Sequence, residues 1–253
     1  MNWWGLPTER ESNRMKAAER ILVALDVDTY AEAERIVDQL QGSVGGFKVG
    51  MRLFYREGPQ VVPRLAQKGG LVFLDLKLHD IPQTVAQATR ALISLGADIV
   101  NVHASGGLDM MKAAVKAARE ESERLGVRMP RLLAVTVLTS LTAQALNNEI
   151  GVPGTTDEVV LKWARLVRQA GMDGVVCSPR EISIIREALG PDFLIVTPGV
   201  RPVDSAKDDQ KRTATPAEAI RLGADYLVIG RPITGAPNPR EAVRRIGIMG
   251  SGL

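Results

Sequence analysis

Short apolar runs recur along the chain at regular intervals, separated by stretches whose apolar residues fall at helical spacing. The runs cover residues 21–27 (ILVALDV), 46–50 (GFKVG), 71–78 (LVFLDLKL), 98–104 (DIVNVHA), 131–138 (RLLAVTVL), 174–178 (GVVCS), 193–200 (FLIVTPGV) and 226–232 (YLVIGRP). Each is short, rich in β-branched residues and apolar on both faces, the pattern of a parallel strand covered by helices. Between the first two, Ala33, Ile36, Val37 and Leu40 form one stripe at i, i+3, i+4 and i+7. Residues 84–95, 108–125, 157–170, 181–189 and 239–246 read the same way. Pro59 and Pro216 stand where a first helical turn tolerates proline.

Strands alternating with helices imply βαβ units. A repeated joint supports one repeated unit: Gly96-Ala97-Asp98, Gly171-Met172-Asp173 and Gly223-Ala224-Asp225 each separate a helical stretch from a strand run, and glycine there can end a helix in the left-handed conformation. Eight units fit a closed (β/α)8 TIM barrel better than an open sheet. The expected organisation is an N-terminal extension over residues 1–20 (an extra helix or a tail, with Trp3 and Trp4), a barrel over 21–246 and a tail over 247–253. Two further stretches depart from the repeat: an insertion at 141–156 and a polar loop at 201–215. Such loops lie at the end of a barrel where active sites form.

The chain has 253 residues, 45% of them hydrophobic, ample for one large core. A single cysteine excludes a disulfide framework and Cys-rich zinc modules, in keeping with a reducing compartment. Lys and Arg number 32 against 29 Asp and Glu. The isoelectric point near 9.1 raises an RNA-binding reading, but the basic residues are dispersed and aromatics are few, unlike a nucleic-acid surface. No run approaches the roughly 18 apolar residues of a membrane span, and no signal-peptide pattern opens the chain. A cytoplasmic protein acting on small molecules is expected.

Alternation along strands sorts the charges. In the third run Val72, Leu74, Leu76 and Leu78 share one face, so Phe73, Asp75 and Lys77 share the other and point into the barrel. Asp26 follows Leu22 and Ala24 on the first run's inner face, Lys48 lies between Gly46 and Gly50, which leave room for a long side chain, and Asp80 follows the third run closely. Two lysines and three aspartates thus converge on one barrel mouth, the catalytic address of this fold; the plainer alternative is a structural ion-pair network. A phosphate site is expected where the last two strands end, at Pro198-Gly199-Val200-Arg201 and Gly230-Arg231, with Gln210 closing over the anion. Cys177 reads as core. His79 and His103 lack acidic partners at metal-ligand spacing.

The motifs DLKLHDIP (75–82), ALD (24–26), KVG (48–50), NVHASGG (101–107), AVTVLTS (134–140), TPGVR (197–201), DQ (209–210) and VIGRP (228–232) together resemble the orotidine 5′-phosphate decarboxylase family in its bacterial branch, in order from 21 to 246. The resemblance implies decarboxylation of orotidine 5′-phosphate to UMP, the last step of UMP synthesis, without a metal or other cofactor. It makes Lys77 the proton donor to carbon 6, sets Asp75 against the substrate carboxylate, and completes a Lys48–Asp75–Lys77–Asp80 array. Asp26 and Lys48 would hold the ribose, and Thr139 and Ser140 the base. Pro198, Arg201, Gln210, Gly230 and Arg231 would form the phosphate end. It further implies a homodimer in which Asp80, Ile81 and Thr84 reach the neighbouring site.

Three other readings remain. Sister sugar-phosphate decarboxylases and aldolases of this barrel share the DxK spacing but use Mg²⁺, held in part by a glutamate near the end of strand two, where this chain has Lys48. A non-catalytic nucleotide-binding barrel would be expected to lack Lys77 or Asp75, and both are present. RNA binding would show as salt-sensitive retention.

Overall fold

The computed structural model describes residues 15–200 and 214–250, the side chains of 247–250 excepted. Eight strands close into one parallel barrel in sequence order: β1 (Ile21–Ala24), β2 (Gly46–Gly50), β3 (Leu71–Leu78), β4 (Ile99–His103), β5 (Arg131–Val135), β6 (Gly174–Val176), β7 (Leu194–Pro198) and β8 (Tyr226–Ile229). The expected (β/α)8 architecture is therefore the observed one. Each strand lies inside its apolar run, and several end early. The residues left over include Leu25 to Val27 and Thr136 to Leu138; of these Leu25 and Thr136 still donate to the neighbouring strands, to the Lys48 and Val176 carbonyls.

The helices are α1 (Tyr30–Leu40), α2 (Met51–Glu57), α3 (Val61–Ala66), α4 (Pro82–Ile93), α5 (Gly107–Leu125), α6 (Ala143–Asn148), α7 (Thr156–Gln169), α8 (Ile182–Leu189), α9 (Pro216–Arg221), α10 (Arg231–Thr234) and α11 (Pro239–Gly250). Pro216 opens α9 as expected. Pro59 does not sit in a first turn. Gly58 adopts φ 73° and ends α2, and Pro59 follows it before α3 begins, so the helical stretch between β2 and β3 is cut in two. Within residues 141–156, Thr142 caps α6 by accepting from the Ala145 N–H, and the Asn147 amide clasps Gly154 through both of its backbone groups. Among the described residues no helix is long and apolar enough to cross a membrane.

Burial divides the core into two layers. Leu74, Val100, Leu132 and Val175 face outward and pack under the helices, while Leu22, Phe73, Ile99, Leu133, Val135, Val176, Val196 and Tyr226 fill the barrel interior. The repeated Gly-x-Asp joint has a physical purpose. Gly96, Gly171 and Gly223 adopt φ 79°, 81° and 107°, and each following aspartate accepts from a backbone N–H of the preceding strand. Asp98 takes Val72 at 2.9 Å, Asp173 takes Leu132 at 2.8 Å and Asp225 takes Ile195 at 2.8 Å. An arginine neutralises each one: Arg128, Arg131 and Arg186 in turn. These stitches lie at the N-terminal ends of the strands and satisfy backbone groups at the barrel's lower rim. The opposite end is left to open loops.

Candidate active site

At the C-terminal ends of the strands a cavity of about 300 Å³ opens into the barrel. Its floor is the top of the interior core, Phe73, Val135 and Val176. Most of the charge enters from β1 to β3. Lys48 on β2 is buried and donates to Asp26 Oδ1 at 2.8 Å; its ammonium lies 3.7 Å from Asp75 Oδ2. Lys77 donates to the other oxygen of that carboxylate, Oδ1, at 2.7 Å. The alternation rule for β3 therefore holds: Phe73, Asp75 and Lys77 all line the cavity.

Gly50 makes the room expected of it, because a Cβ there would meet the Lys48 ammonium at 2.9 Å. Gly46 serves a different purpose. A Cβ on Gly46 would strike the backbone of Leu71 on the adjacent strand, so this glycine admits β3 and not the lysine.

The charges are tuned by one another. Burial pushes the Asp75 carboxyl up, but Lys48, Lys77 and the hydrogen bonds from Lys77 and Asn101 together outweigh it, and the net shift is downward. Asp75 is thus an anion at neutral pH, flanked by two ammonium groups. The carboxylates of Asp26 and Asp75 both face Lys48, whose charge opposes a divalent cation between them. Burial lowers the pKa of His103, and His79 and Lys77 act in the same direction. The two imidazoles lie 5.4 Å apart.

The wall at the end of the last two strands is Pro198, Gly199 and Val200 at and after the end of β7, with Val228, Gly230, Arg231 and Pro232 from β8 and α10. Gly199 has φ 81°, which turns the chain over the mouth. An anion would meet Arg231 and the glycine backbone at this end, beside Asp26: a Cβ on Gly230 would stand 3.9 Å from Asp26 Oδ2. The cavity therefore carries acidic and basic side chains around an apolar floor, with Arg231 a cation at its β8 edge.

A family model described as the orotidine 5′-phosphate decarboxylase / HUMPS family matches residues 19–246. The chain belongs to this family. It is 55% identical over 237 residues to orotidine 5′-phosphate decarboxylase of Moorella thermoacetica, covering 94% of each chain. It is 52% identical over 233 residues to the Syntrophomonas wolfei enzyme of the same name, covering 92% of this chain and 98% of the relative. The crystal structure of orotidine 5′-phosphate decarboxylase from Lactobacillus acidophilus superposes with a TM-score of 0.81 at 40% identity, covering 92% of this chain and 99% of that one.

In this orotidine 5′-phosphate decarboxylase / HUMPS family member the residues expected from sequence fall in different places. Asp26, Lys48, Asp75, Lys77, Thr139, Pro198, Gly230 and Arg231 gather around the cavity. Ser140 is exposed next to Thr139 and is not among the lining residues. Asp80, Ile81 and Thr84 are exposed on the turn after β3 and the start of α4, outside their own chain's cavity lining. The Asp80 carboxylate accepts from the Ile81 N–H at 2.7 Å. Arg201 and Gln210 lie outside the described residues. Cys177 is 1% exposed and borders the cavity as well as the core.

One residue next to the charges escaped the sequence reading. Asn101, on the inner face of β4, is 1% exposed. Its Nδ2 donates to Asp75 Oδ1 at 2.7 Å, and its Oδ1 accepts from the Lys77 N–H at 2.8 Å. The signal was present: an amide two residues after Ile99 and two before His103 on the inward face of β4.

Proposed function

We propose that the protein decarboxylates orotidine 5′-phosphate to UMP and carbon dioxide, as the relatives' names indicate, with no metal or organic cofactor, in pyrimidine biosynthesis. The observation that carries the reading is the Lys77 ammonium held 2.7 Å from Asp75 at the wall of the cavity that Arg231 also lines. Loss of carbon dioxide leaves the bonding pair on carbon 6, in an orbital in the ring plane that the π system cannot delocalise. A fixed ammonium is the group such a charge needs. Lys77 supplies it and then gives a proton from Nζ to carbon 6; the resulting amine is reprotonated from solvent. Asp75 holds the Lys77 ammonium in place through its Oδ1 and opposes the substrate carboxylate in the ground state.

Asp26 and Lys48 bind the ribose hydroxyls, and Thr139 and Ser140 contact the base. Arg231, Gly230, Pro198, Arg201 and Gln210 hold the 5′-phosphate. Binding energy from that remote group is available to favour the transition state. The functional unit is a homodimer in which Asp80, Ile81 and Thr84 complete the neighbour's site; Ile81 is 66% exposed in the single chain, in keeping with a covered position.

The test is the ultraviolet spectrum of orotidine 5′-phosphate mixed with purified protein, with and without excess EDTA. Conversion to UMP unaffected by EDTA is expected. Conversion abolished by EDTA would overturn the metal-free mechanism. No conversion by folded protein would favour a sister sugar-phosphate enzyme or a non-catalytic barrel.

A further inference from the structure

Lys77 has φ 54°, and among the described residues it is the one non-glycine residue with a positive φ. Lysine gains nothing from the left-handed region, where its Cβ crowds the backbone. The cause is local to β3. Leu74 pairs with Val100, but the next pair is Leu78 with Val102, so four positions of β3 run against two of β4. The extra chain bulges at Asp75, Leu76 and Lys77, where ladder partners are lost.

We infer that Asn101 is the positioning residue of the reaction: its amide closes the β3 bulge and so fixes both the Lys77 ammonium and the Asp75 carboxylate. The inference rests on the decarboxylase reading above. Asn101 is the β4 residue between Val100 and Val102, and it faces the bulge. Its Oδ1 takes the Lys77 N–H that the broken ladder leaves over, at 2.8 Å. Its Nδ2 reaches Asp75 Oδ1 at 2.7 Å, the oxygen that also receives Lys77 Nζ at 2.7 Å. Asn101 does not line the cavity, so it acts through these two residues and not on substrate.

The chemistry demands an amide. The Lys77 N–H requires an acceptor and the carboxylate requires a donor, which settles which end of the amide faces which. Aspartate is isosteric but would set one carboxylate against another. Serine is too short to reach both groups, and an apolar residue would leave the Lys77 N–H unpaired in a buried site. With the donor in place, Asp75 Oδ1 is held by Asn101 and Lys77 together while Oδ2 faces Lys48. The carboxylate plane, and with it the direction of the ammonium, is then over-determined.

Two variants test this, Asn101→Ala and Asn101→Asp, each measured for kcat, KM and UMP affinity alongside wild type. Asn101→Ala should lower kcat by about 100-fold, the scale of a 1 Å misplacement, with UMP affinity within about twofold because the phosphate end is remote. Asn101→Asp keeps the size and the acceptor. Its kcat should be low at pH 8 and climb as pH falls towards 5.5, because the introduced carboxyl, once protonated, again donates to Asp75. The groups that surround it are Asp75 and Lys77 from β3, Lys48 from β2, and His103 and His79; wild type shares all of these and should show no such climb. An Asn101→Ala kcat within about twofold of wild type, or an Asn101→Asp profile shaped like wild type, overturns the inference. If Asn101→Ala fails to fold, the Asn101→Asp profile decides. Wild type that leaves orotidine 5′-phosphate unchanged overturns the functional reading itself, a result distinct from either.

Discussion

Lys48 donates to Asp26 Oδ1 at 2.8 Å, so the β2 ammonium is tied to the end of β1 before any ligand arrives. Gly50 leaves the space that this pair occupies: a Cβ at that position would stand 2.9 Å from Lys48 Nζ and 3.1 Å from Asp26 Oδ1. Gly50→Ala should therefore fold, since the atoms it meets are side-chain ends and not backbone, but move the ammonium. The expected result is a kcat/KM lower by about 10- to 100-fold with a melting temperature close to wild type. Steady-state kinetics and calorimetry on the same preparation check both halves.

Lys77→Ala removes the proton donor and the cation facing carbon 6. Decarboxylation should fall by about 10⁴-fold or more, while UMP still binds through the phosphate end. Arg231→Ala should show the converse, a raised KM with a smaller change in kcat. Near-normal turnover by Lys77→Ala in the ultraviolet assay would show that another group delivers the proton.

Asp80 offers a test of the shared site. Lys77→Ala and Asp80→Asn should each be inactive alone. Mixed and allowed to exchange subunits, they should recover about one quarter of wild-type activity, because half of the dimers are mixed and each carries one complete site. No recovery, with exchange confirmed by mass spectrometry, would place Asp80 in its own chain's site.

The depressed Asp75 pKa links the site to acid stability. A carboxyl whose folded pKa lies below its unfolded value of about 3.9 stabilises the fold fully above that value, and this contribution is lost as pH falls towards the folded pKa. Burial acts against the shift, and Lys48, Lys77 and Asn101 override it. Compared with wild type, Asp75→Asn should lose less stability on acidification from about pH 4 downward. Urea titrations of both proteins at a series of pH values measure the difference in slope.

Asp173 accepts from the Leu132 N–H at 2.8 Å and from Arg131 at 2.6 Å at the barrel's lower rim. Asp173→Ala should cost about 1–3 kcal/mol of stability and leave kcat unchanged, since the site lies at the opposite end. Denaturant unfolding and the decarboxylation assay separate the two effects.

The barrel was legible because parallel strands buried on both faces read as apolar runs, and the Gly-x-Asp joints marked where three of them began. Strand ends were less so. Val137 and Leu138 continue the apolar pattern of β5 although they lie beyond the strand, because they line the cavity and cavity walls are as apolar as strands. The β1–β3 charges followed from alternation; Asn101 was missed because the same ruler was not laid along β4. The left-handed backbone of Lys77 has no signature in residue type, since it arises from a register difference between two strands. Ser140 shows the limit of motif matching: it adjoins a lining residue and is itself exposed outside the lining.

The β3 bulge adds an even number of residues relative to β4, and this parity decides which way the chemistry points. Successive side chains alternate between the two sides of a strand, so an excess of two restores the original sense beyond the irregularity. Leu76 still packs outward among the helices and Lys77 still looks into the barrel. An excess of one would have handed the ammonium to the helical layer and a leucine to the substrate. Deleting Leu76 alone is therefore a damaging change, because an odd deletion puts Asp75 and Lys77 on opposite sides of the strand.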